Sequence, residues 1–123
     1  MIVVLLSTVD RPGIDAEEYG RAAVRMREIV TSIPGFISFN SYVSDDGEEL
    51  QVARFDSLEA LEAWRTDPEH LEAQEKGRSS WFKEYWDQAC STVHEYHWTR
   101  EGGYESDLRE MFVVGSEIQP GPG

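Results

Sequence analysis

Strand-like and helix-like runs alternate along most of the chain. Ile2–Val9 is apolar and largely β-branched, which predicts a first strand. From Asp15 onward apolar residues recur at helical spacing, and Asp15 followed by Glu18 has the spacing of a capping box. We therefore expect a helix from about 15 to 32, which Pro34-Gly35 ends.

Two strands joined by a tight turn are predicted next. Phe36–Ser44 and Glu48–Phe55 flank Asp45-Asp46-Gly47, and an acidic residue before glycine between two such runs is typical of a β-hairpin. A second helical segment begins after Ser57 and is divided, because Asp67-Pro68 supplies a new cap and a first-turn proline.

The remainder of the domain is predicted as more helix and a last strand. Beyond a break at Gly77, aromatic residues at helical spacing predict that the helix continues; these are Trp81, Phe82, Tyr85 and Trp86. Cys90–Trp98 is then the fourth strand. The order βαββαβ predicts an α+β, ferredoxin-like domain with an antiparallel sheet over residues 1–98. Residues 99–123 are predicted to form a tail in which Met111–Val114 docks.

The predicted sheet is apolar on both faces. The first strand places Ile2, Val4 and Leu6 on one face, but Val3 and Leu5 on the other. The helices can cover one face only, and a second copy of the sheet is the simplest cover for the other. The pattern thus predicts a homodimer with a barrel-like interface. The alternative, that the tail covers this face, is less favoured because the tail has only four consecutive apolar residues.

Charge and cysteine content limit the possible partners and location. The chain has 24 acidic and 11 basic residues and a formal charge of −13, which disfavours nucleic acid and anionic membranes as partners. A neutral or apolar small molecule fits better, although the charge can also serve solubility alone. The single Cys90, expected to be a buried thiol, and the short apolar run Ile2–Leu6 predict a cytoplasmic protein.

Several segments together resemble a known family. They are Ile33-Pro34-Gly35-Phe36, Phe55-Asp56-Ser57-Leu58, Trp64-Arg65 and Asp67-Pro68-Glu69-His70. Over about residues 1–98 the chain resembles the antibiotic biosynthesis monooxygenase domain of the dimeric α+β barrel superfamily. The resemblance implies a ferredoxin-like fold and a homodimer.

The resemblance also implies two kinds of chemistry. Some members of this family oxygenate aromatic polyketide intermediates with O2 and no cofactor, and others degrade haem. Haem degraders use an asparagine, a tryptophan and a histidine; Trp64 matches the second, but Ser7 and Gln74 occupy the other two positions. Haem degradation is therefore not expected. In the cofactor-free oxygenases the third strand carries polar and aromatic site residues, at positions that Gln51 and Phe55 hold here.

His70 is the main candidate for catalysis. It lies in the first turn of a predicted helix, where the dipole keeps the imidazole neutral and able to accept a proton. Gln74 would share its helix face, and Arg54 would assist as a further polar group beside the developing charge. A purely structural role for His70 is the alternative.

The remaining candidates would bind substrate. Trp64 and Trp81 would wall a flat pocket, although both can equally be core residues. Asn40 and Tyr42 would contact the ligand from the second strand, or else pair with each other or the dimer mate. We expect no metal site, because His94-Glu95-Tyr96-His97 lacks the zinc-protease spacing and no cysteine pair or carboxylate cluster occurs.

Three functions are compatible with these residues. The first is a monooxygenase without cofactor, acting on an aromatic polyketide-like small molecule with O2. The second is a non-catalytic module that binds a hydrophobic small molecule or haem. The third is a cyclase or isomerase that uses the same pocket without oxygen.

Overall fold

The structure, a computed structural model, describes residues 1–105. The chain forms two compact units, of which the first spans Met1–Ser91 and the second starts at Thr92. The first unit contains four strands, three α-helices and a π-helical turn, Gly77–Trp81. In chain order the strands and helices are β1 (Ile2–Asp10), α1 (Ala16–Ser32), β2 (Phe36–Val43), β3 (Glu49–Phe55), α2 (Leu58–Arg65), α3 (Pro68–Lys76) and β4 (Phe82–Ser91).

The four strands form one antiparallel sheet in the order β2-β3-β1-β4. This is the ferredoxin-like arrangement, and the predicted fold class is confirmed. β1 is central because its apolar residues pair with β3 on one edge and β4 on the other, with Val4 opposite both Ala53 and Ala89.

The two faces of the sheet differ in cover. On one face, here called the helix side, Val4, Ala53 and Phe55 pack with Val30 of α1 and Leu61 of α2 in the core. The opposite face, here called the open side, has no covering helix within the first unit. Strand alternation and register assign to the open side Val3, Leu5, Ser7, Asn40, Tyr42, Leu50, Val52, Arg54, Trp86, Gln88 and Cys90.

The prediction that Trp81–Trp86 is helical and that Cys90–Trp98 is the fourth strand was wrong. β4 begins at Phe82, and a register shift lies between Val9 and Asp10 of its partner. Because of this bulge, Phe82 and Tyr85 both face the helix side although three positions separate them, which imitates helical spacing. The expected burial of Cys90 was also wrong, because this residue is exposed near the end of β4, an edge strand of the sheet.

Side-chain caps start each helix as predicted. Asp15 Oδ1 accepts a hydrogen bond from the backbone N–H of Glu18 (3.0 Å), and Ser57 Oγ does so from that of Ala60 (3.1 Å). The predicted capping box is only half formed. The Glu18 carboxylate instead accepts a hydrogen bond from Trp81 Nε1 (3.0 Å), which ties α1 to the π-helical turn.

Two glycines permit close approaches that position the helices. Gly35 has a φ of +94°, and a Cβ there would lie 2.7 Å from Ala60 Cβ in α2. At Gly77, where α3 ends as predicted, a Cβ would lie 2.7 Å from the Phe82 ring. Any larger residue at either position would push a helix away from the sheet.

The second unit contains a short antiparallel hairpin of β5 (His97–Thr99) and β6 (Gly103–Glu105). The predicted docking segment Met111–Val114 lies outside the described residues. Within residues 1–105, no helix has the length and apolar character needed to cross a membrane.

Candidate functional site

The cleft between the helix side of the sheet and the helices holds two neighbouring cavities. One, here called the β4 cavity, has a volume of about 320 Å³ and extends toward α2 and β4. The other, here called the α1 cavity, has a volume of about 360 Å³ and extends along α1. The residues that line both cavities are Leu6, Phe39, Gln51, His70, Gln74 and Phe82.

His70 reaches this shared wall because of how α3 begins. Asp67 caps the helix by accepting a hydrogen bond from the backbone N–H of His70 (3.0 Å), and Pro68 occupies the first turn. His70 and Gln74 lie four residues apart, so they project from the same face of α3. The structure brings these two predicted site residues together, since both side chains line both cavities; their role in a site stays a prediction.

The imidazole is held in one orientation and one tautomer. Its ring stacks on the Trp64 indole with centroids 3.6 Å apart and an interplanar angle of 13°. His70 Nδ1 lies 2.9 Å from the backbone carbonyl oxygen of Trp64, which can only accept. Nδ1 must therefore carry the proton, and the lone pair is left on Nε2, which has no hydrogen-bond partner among residues 1–105.

The environment also keeps His70 neutral. Burial lowers the pKa of His70 below its ordinary value of 6.5, and this outweighs the opposing effects of the Trp64 carbonyl and of the Asp87 and Asp67 carboxylates. Sequence reasoning predicted a neutral imidazole from the helix dipole; desolvation is the leading cause in the structure. A neutral ring with a bare Nε2 in a cavity is suited to accept a proton.

The β4 cavity has a polar end that sequence reasoning missed. Tyr85 and Asp87 face it from β4, and Arg65 lines it from α2. Because Tyr85 was predicted to be helical and Asp87 was assigned to no element, their shared side was not recognised. Residues 82–91 show no alternation of apolar and polar residues, so no local pattern marked them as a strand.

The α1 cavity is mostly apolar. Ala22, Ala23 and Met26 line it from α1, and Trp81 closes it from the π-helical turn. The indole of Trp81 is buried, with its N–H bonded to Glu18, so it is a fixed wall. Trp64 lines only the β4 cavity, behind His70.

Tyr19 stands at the far end of the α1 cavity as a neutral phenol. Its ring packs edge-on against Trp81, with centroids 5.2 Å apart. Its hydroxyl donates a long hydrogen bond to Glu49 Oε2 (3.4 Å). Burial and the Glu49 carboxylate raise the pKa of Tyr19 well above its usual range, so the phenol keeps its proton.

Other predicted site residues lie elsewhere. Asn40, Tyr42 and Arg54 are on the open side, so grouping them with His70 in one pocket was wrong. The sequence did not reveal their side, because both faces of the sheet carry apolar residues and β2 shifts register between Phe36 and Ser38. Phe55 is fully buried in the core and does not line either cavity. Gln51 does line both.

The described part of the chain contains no group of three or more histidine, cysteine, aspartate or glutamate side chains that could hold a metal ion. His94 and His97, which sequence reasoning dismissed as a zinc motif, lie in the second unit, where His97 begins the hairpin.

The sequence matches a known family. A model described as "Antibiotic biosynthesis monooxygenase" matches residues 2–76. Among curated proteins, the uncharacterized protein YqjZ of Bacillus subtilis (strain 168) is 40% identical over 67 residues, or 54% of this chain. The match spans 59% of the length of that relative.

Solved structures share the fold at low sequence identity. Rv0793 from Mycobacterium tuberculosis has a TM-score of 0.66 at 20% identity, covering 76% of this chain and 96% of its own. SnoaB from Streptomyces nogalater, described as a cofactor-independent oxygenase, has a TM-score of 0.62 at 11% identity, covering 76% and 94%. These likenesses support the fold of the first unit.

Proposed function

Since the chain belongs to the antibiotic biosynthesis monooxygenase family, we propose that it is a cofactor-independent monooxygenase that oxidises a planar, aromatic, polyketide-like small molecule with O2. The observation that carries the proposal is the bare Nε2 of His70 on the wall shared by the two cavities. The fold likeness to a cofactor-independent oxygenase agrees with it.

The proposed reaction uses His70 as a base. Nε2 takes a proton from an acidic methylene of the substrate and leaves a carbanion. Its charge spreads onto the oxygen of a conjugated ring carbonyl, as in an enolate. The amides of Gln51 and Gln74, on the same shared wall, donate hydrogen bonds to that oxygen. They replace Asn40 and Arg54, which lie on the other side of the sheet.

The substrate itself then reduces oxygen. The carbanion transfers one electron to O2, and the resulting radical pair forms a C–O bond, giving a peroxide anion. The His70 imidazolium returns the proton to yield a hydroperoxide, which loses its second C–H proton and breaks its O–O bond to give a ketone and water. One methylene and one O2 thus become one carbonyl and one H2O. The cleft contributes positioning and exclusion of water.

Oxygen uptake with anthrone tests this proposal. We expect anthrone and O2 to be consumed one to one above the uncatalysed autoxidation rate, with anthraquinone as product. His70→Gln should lower kcat/KM by at least about 10²-fold, the usual effect of losing a general base. The matched control His94→Gln, in the second unit, should retain wild-type turnover.

The outcomes separate the alternatives. Wild-type turnover in His70→Gln would remove His70 as the base. Conversion of anthrone without oxygen uptake would favour the cyclase or isomerase. No oxygen uptake with any anthrone would favour the binding module.

A haem-binding module is the second candidate function. A histidine that donates Nδ1–H to a backbone carbonyl and leaves Nε2 bare would also be able to bind the iron of a haem through Nε2. Titration with haem, followed by the Soret band, tests this candidate. A saturable band that His70→Gln abolishes would support it over the oxygenase.

We also propose that two copies pair through their open sides. Val3 and Leu5 are only half-buried there, while Trp86 is 63% exposed and Tyr42 is 55% exposed in the single chain. Burying such a face is the usual reason for pairing of sheets. In this arrangement Asn40 and Arg54 belong to the subunit interface.

A further inference from the structure

The polar end of the β4 cavity has an unusual set of hydrogen-bonding groups. Tyr85 and Asp87 are two positions apart on β4, so they face the same side about 6.6 Å apart along the strand. Arg65 reaches the same cavity from α2. Nothing in the proposed oxidation uses these three side chains.

Their existing contacts show which bonds remain available. Arg78 Nη1 donates to the Tyr85 hydroxyl oxygen (3.2 Å), so the Tyr85 O–H is left to donate elsewhere. Arg65 Nη1 donates to Glu62 Oε1 at 2.6 Å, so part of its guanidinium is already engaged. Asp87 has neither a hydrogen bond nor an ion pair from its side chain among residues 1–105, so its carboxylate can accept from a ligand.

We propose that the β4 cavity is a specificity subsite in which Asp87 and Tyr85 bind a neutral substituent that has both a donor and an acceptor, such as a carboxamide, while the substrate's aromatic ring lies toward the α1 cavity. The ligand's N–H bonds to Asp87, and its carbonyl accepts from Tyr85. The aromatic identity of the ring rests on the proposed function; the polar substituent rests on the β4 residues alone.

The charges of the cavity favour a neutral group over an anion. The carboxylate of Asp87 would lie beside a ligand carboxylate and repel it, and the Glu62 carboxylate weakens the attraction of Arg65, the cation among these lining residues. The chain's formal charge of −13 acts in the same direction.

Binding of three anthraquinones tests the subsite without any oxidation. The probes are 9,10-anthraquinone, its 2-carboxamide and its 2-carboxylate, and the Kd of each is measured by quenching of tryptophan fluorescence. We expect the carboxamide to bind about tenfold more tightly than the unsubstituted ring, as expected for one hydrogen bond to a charged group. The carboxylate should bind more weakly than the carboxamide.

Variants locate the preference. In Asp87→Ala the Kd of 9,10-anthraquinone divided by the Kd of its 2-carboxamide should fall from about ten to about one. Tyr85→Phe should also reduce this ratio. The matched control Asp45→Ala removes the same charge from the distant hairpin turn and should keep the tenfold ratio. Asp87 is exposed, so its replacement should leave the fold intact.

Three results would overturn the proposal: equal binding of all three probes by the wild type, a tenfold preference that survives in Asp87→Ala, or no binding of any probe. The quinones cannot be oxidised at the methylene, since they have none. A preference for the carboxamide without anthrone oxidation would therefore contradict the proposed function and support the subsite. Anthrone oxidation without a preference for the carboxamide would support the proposed function and contradict the subsite.

Discussion

Replacing Gly35 by alanine tests how the turn before β2 positions α2. Gly35 has a φ of +94° and Gly47 in the hairpin turn has a φ of +91°, so alanine meets the same left-handed strain at both positions, about 1–2 kcal/mol. The surroundings differ. A Cβ at Gly47 meets nothing within 4 Å. One at Gly35 would clash with the Asp56 carboxylate and would lie 2.7 Å from the Cβ of Ala60, which the backbone of α2 holds in place.

The close contact should add a cost that only Gly35→Ala shows. Overpacking of this kind adds about 1–3 kcal/mol, so Gly35→Ala should lose roughly 2–5 kcal/mol of unfolding free energy and Gly47→Ala about 1–2. With an m value of about 2 kcal/mol per molar urea, the midpoint should fall roughly 0.5–1.5 M further for Gly35→Ala. The assay is urea denaturation at one protein concentration, with m compared between variants.

A double-mutant cycle shows whether the contact is the cause. Ala60→Gly removes one of the two opposing groups, and in the Gly35→Ala background it should recover part of the extra loss beyond its own helix-propensity cost of about 1 kcal/mol. The Asp56 carboxylate accounts for the remainder. Equal midpoint shifts for Gly35→Ala and Gly47→Ala, or no coupling with Ala60→Gly, would refute the reasoning.

Further expectations concern His70, Trp81 and the open side. The pKa of His70 is lower in the folded state than in the unfolded state, so its contribution to stability is complete above the unfolded value of about 6.5 and is lost as pH falls toward the folded pKa. The urea midpoint of the wild type, relative to that of His70→Gln, should therefore decline below pH 6.5. A difference that stays constant with pH would contradict this. Trp81→Phe removes the hydrogen bond to the Glu18 carboxylate and part of a buried ring system, and should cost roughly 2–4 kcal/mol, measured against Trp98→Phe in the second unit as control. Sedimentation equilibrium at micromolar concentration should show a dimer, and Leu5→Asp, which puts a charge on the open side, should yield monomers; a monomeric wild type would refute the proposed pairing.

Local patterns predicted most of the first unit. The caps at Asp15, Ser57 and Asp67 and the hairpin glycine are short-range signals, because each depends on contacts within three or four residues. β4 was missed because its bulge depends on pairing with Val9 and Asp10, more than seventy positions earlier, which no local pattern contains.

The site was predicted in part for the same physical reason. His70 and Gln74 lie four residues apart on α3, so spacing along the chain was enough to group them, and Trp64 precedes them closely on α2. The strand residues needed the identity of the covered face, and a sheet that is apolar on both sides does not reveal it. Asn40 and Arg54 were therefore assigned to the wrong side, while Asp87 was not considered.

The position of β4 at the end of the first unit has a consequence for the order of synthesis. β1 is made first but remains unpaired along one edge until β4 follows about eighty residues later. At a synthesis rate of about 5–20 residues per second, this delay is roughly 4–16 s. During that interval the nascent chain exposes an apolar strand edge to other ribosome-bound copies. A fragment that stops at Lys76, where the family match ends, would keep this edge bare permanently. Any shortened form intended to fold must therefore extend at least to Ser91.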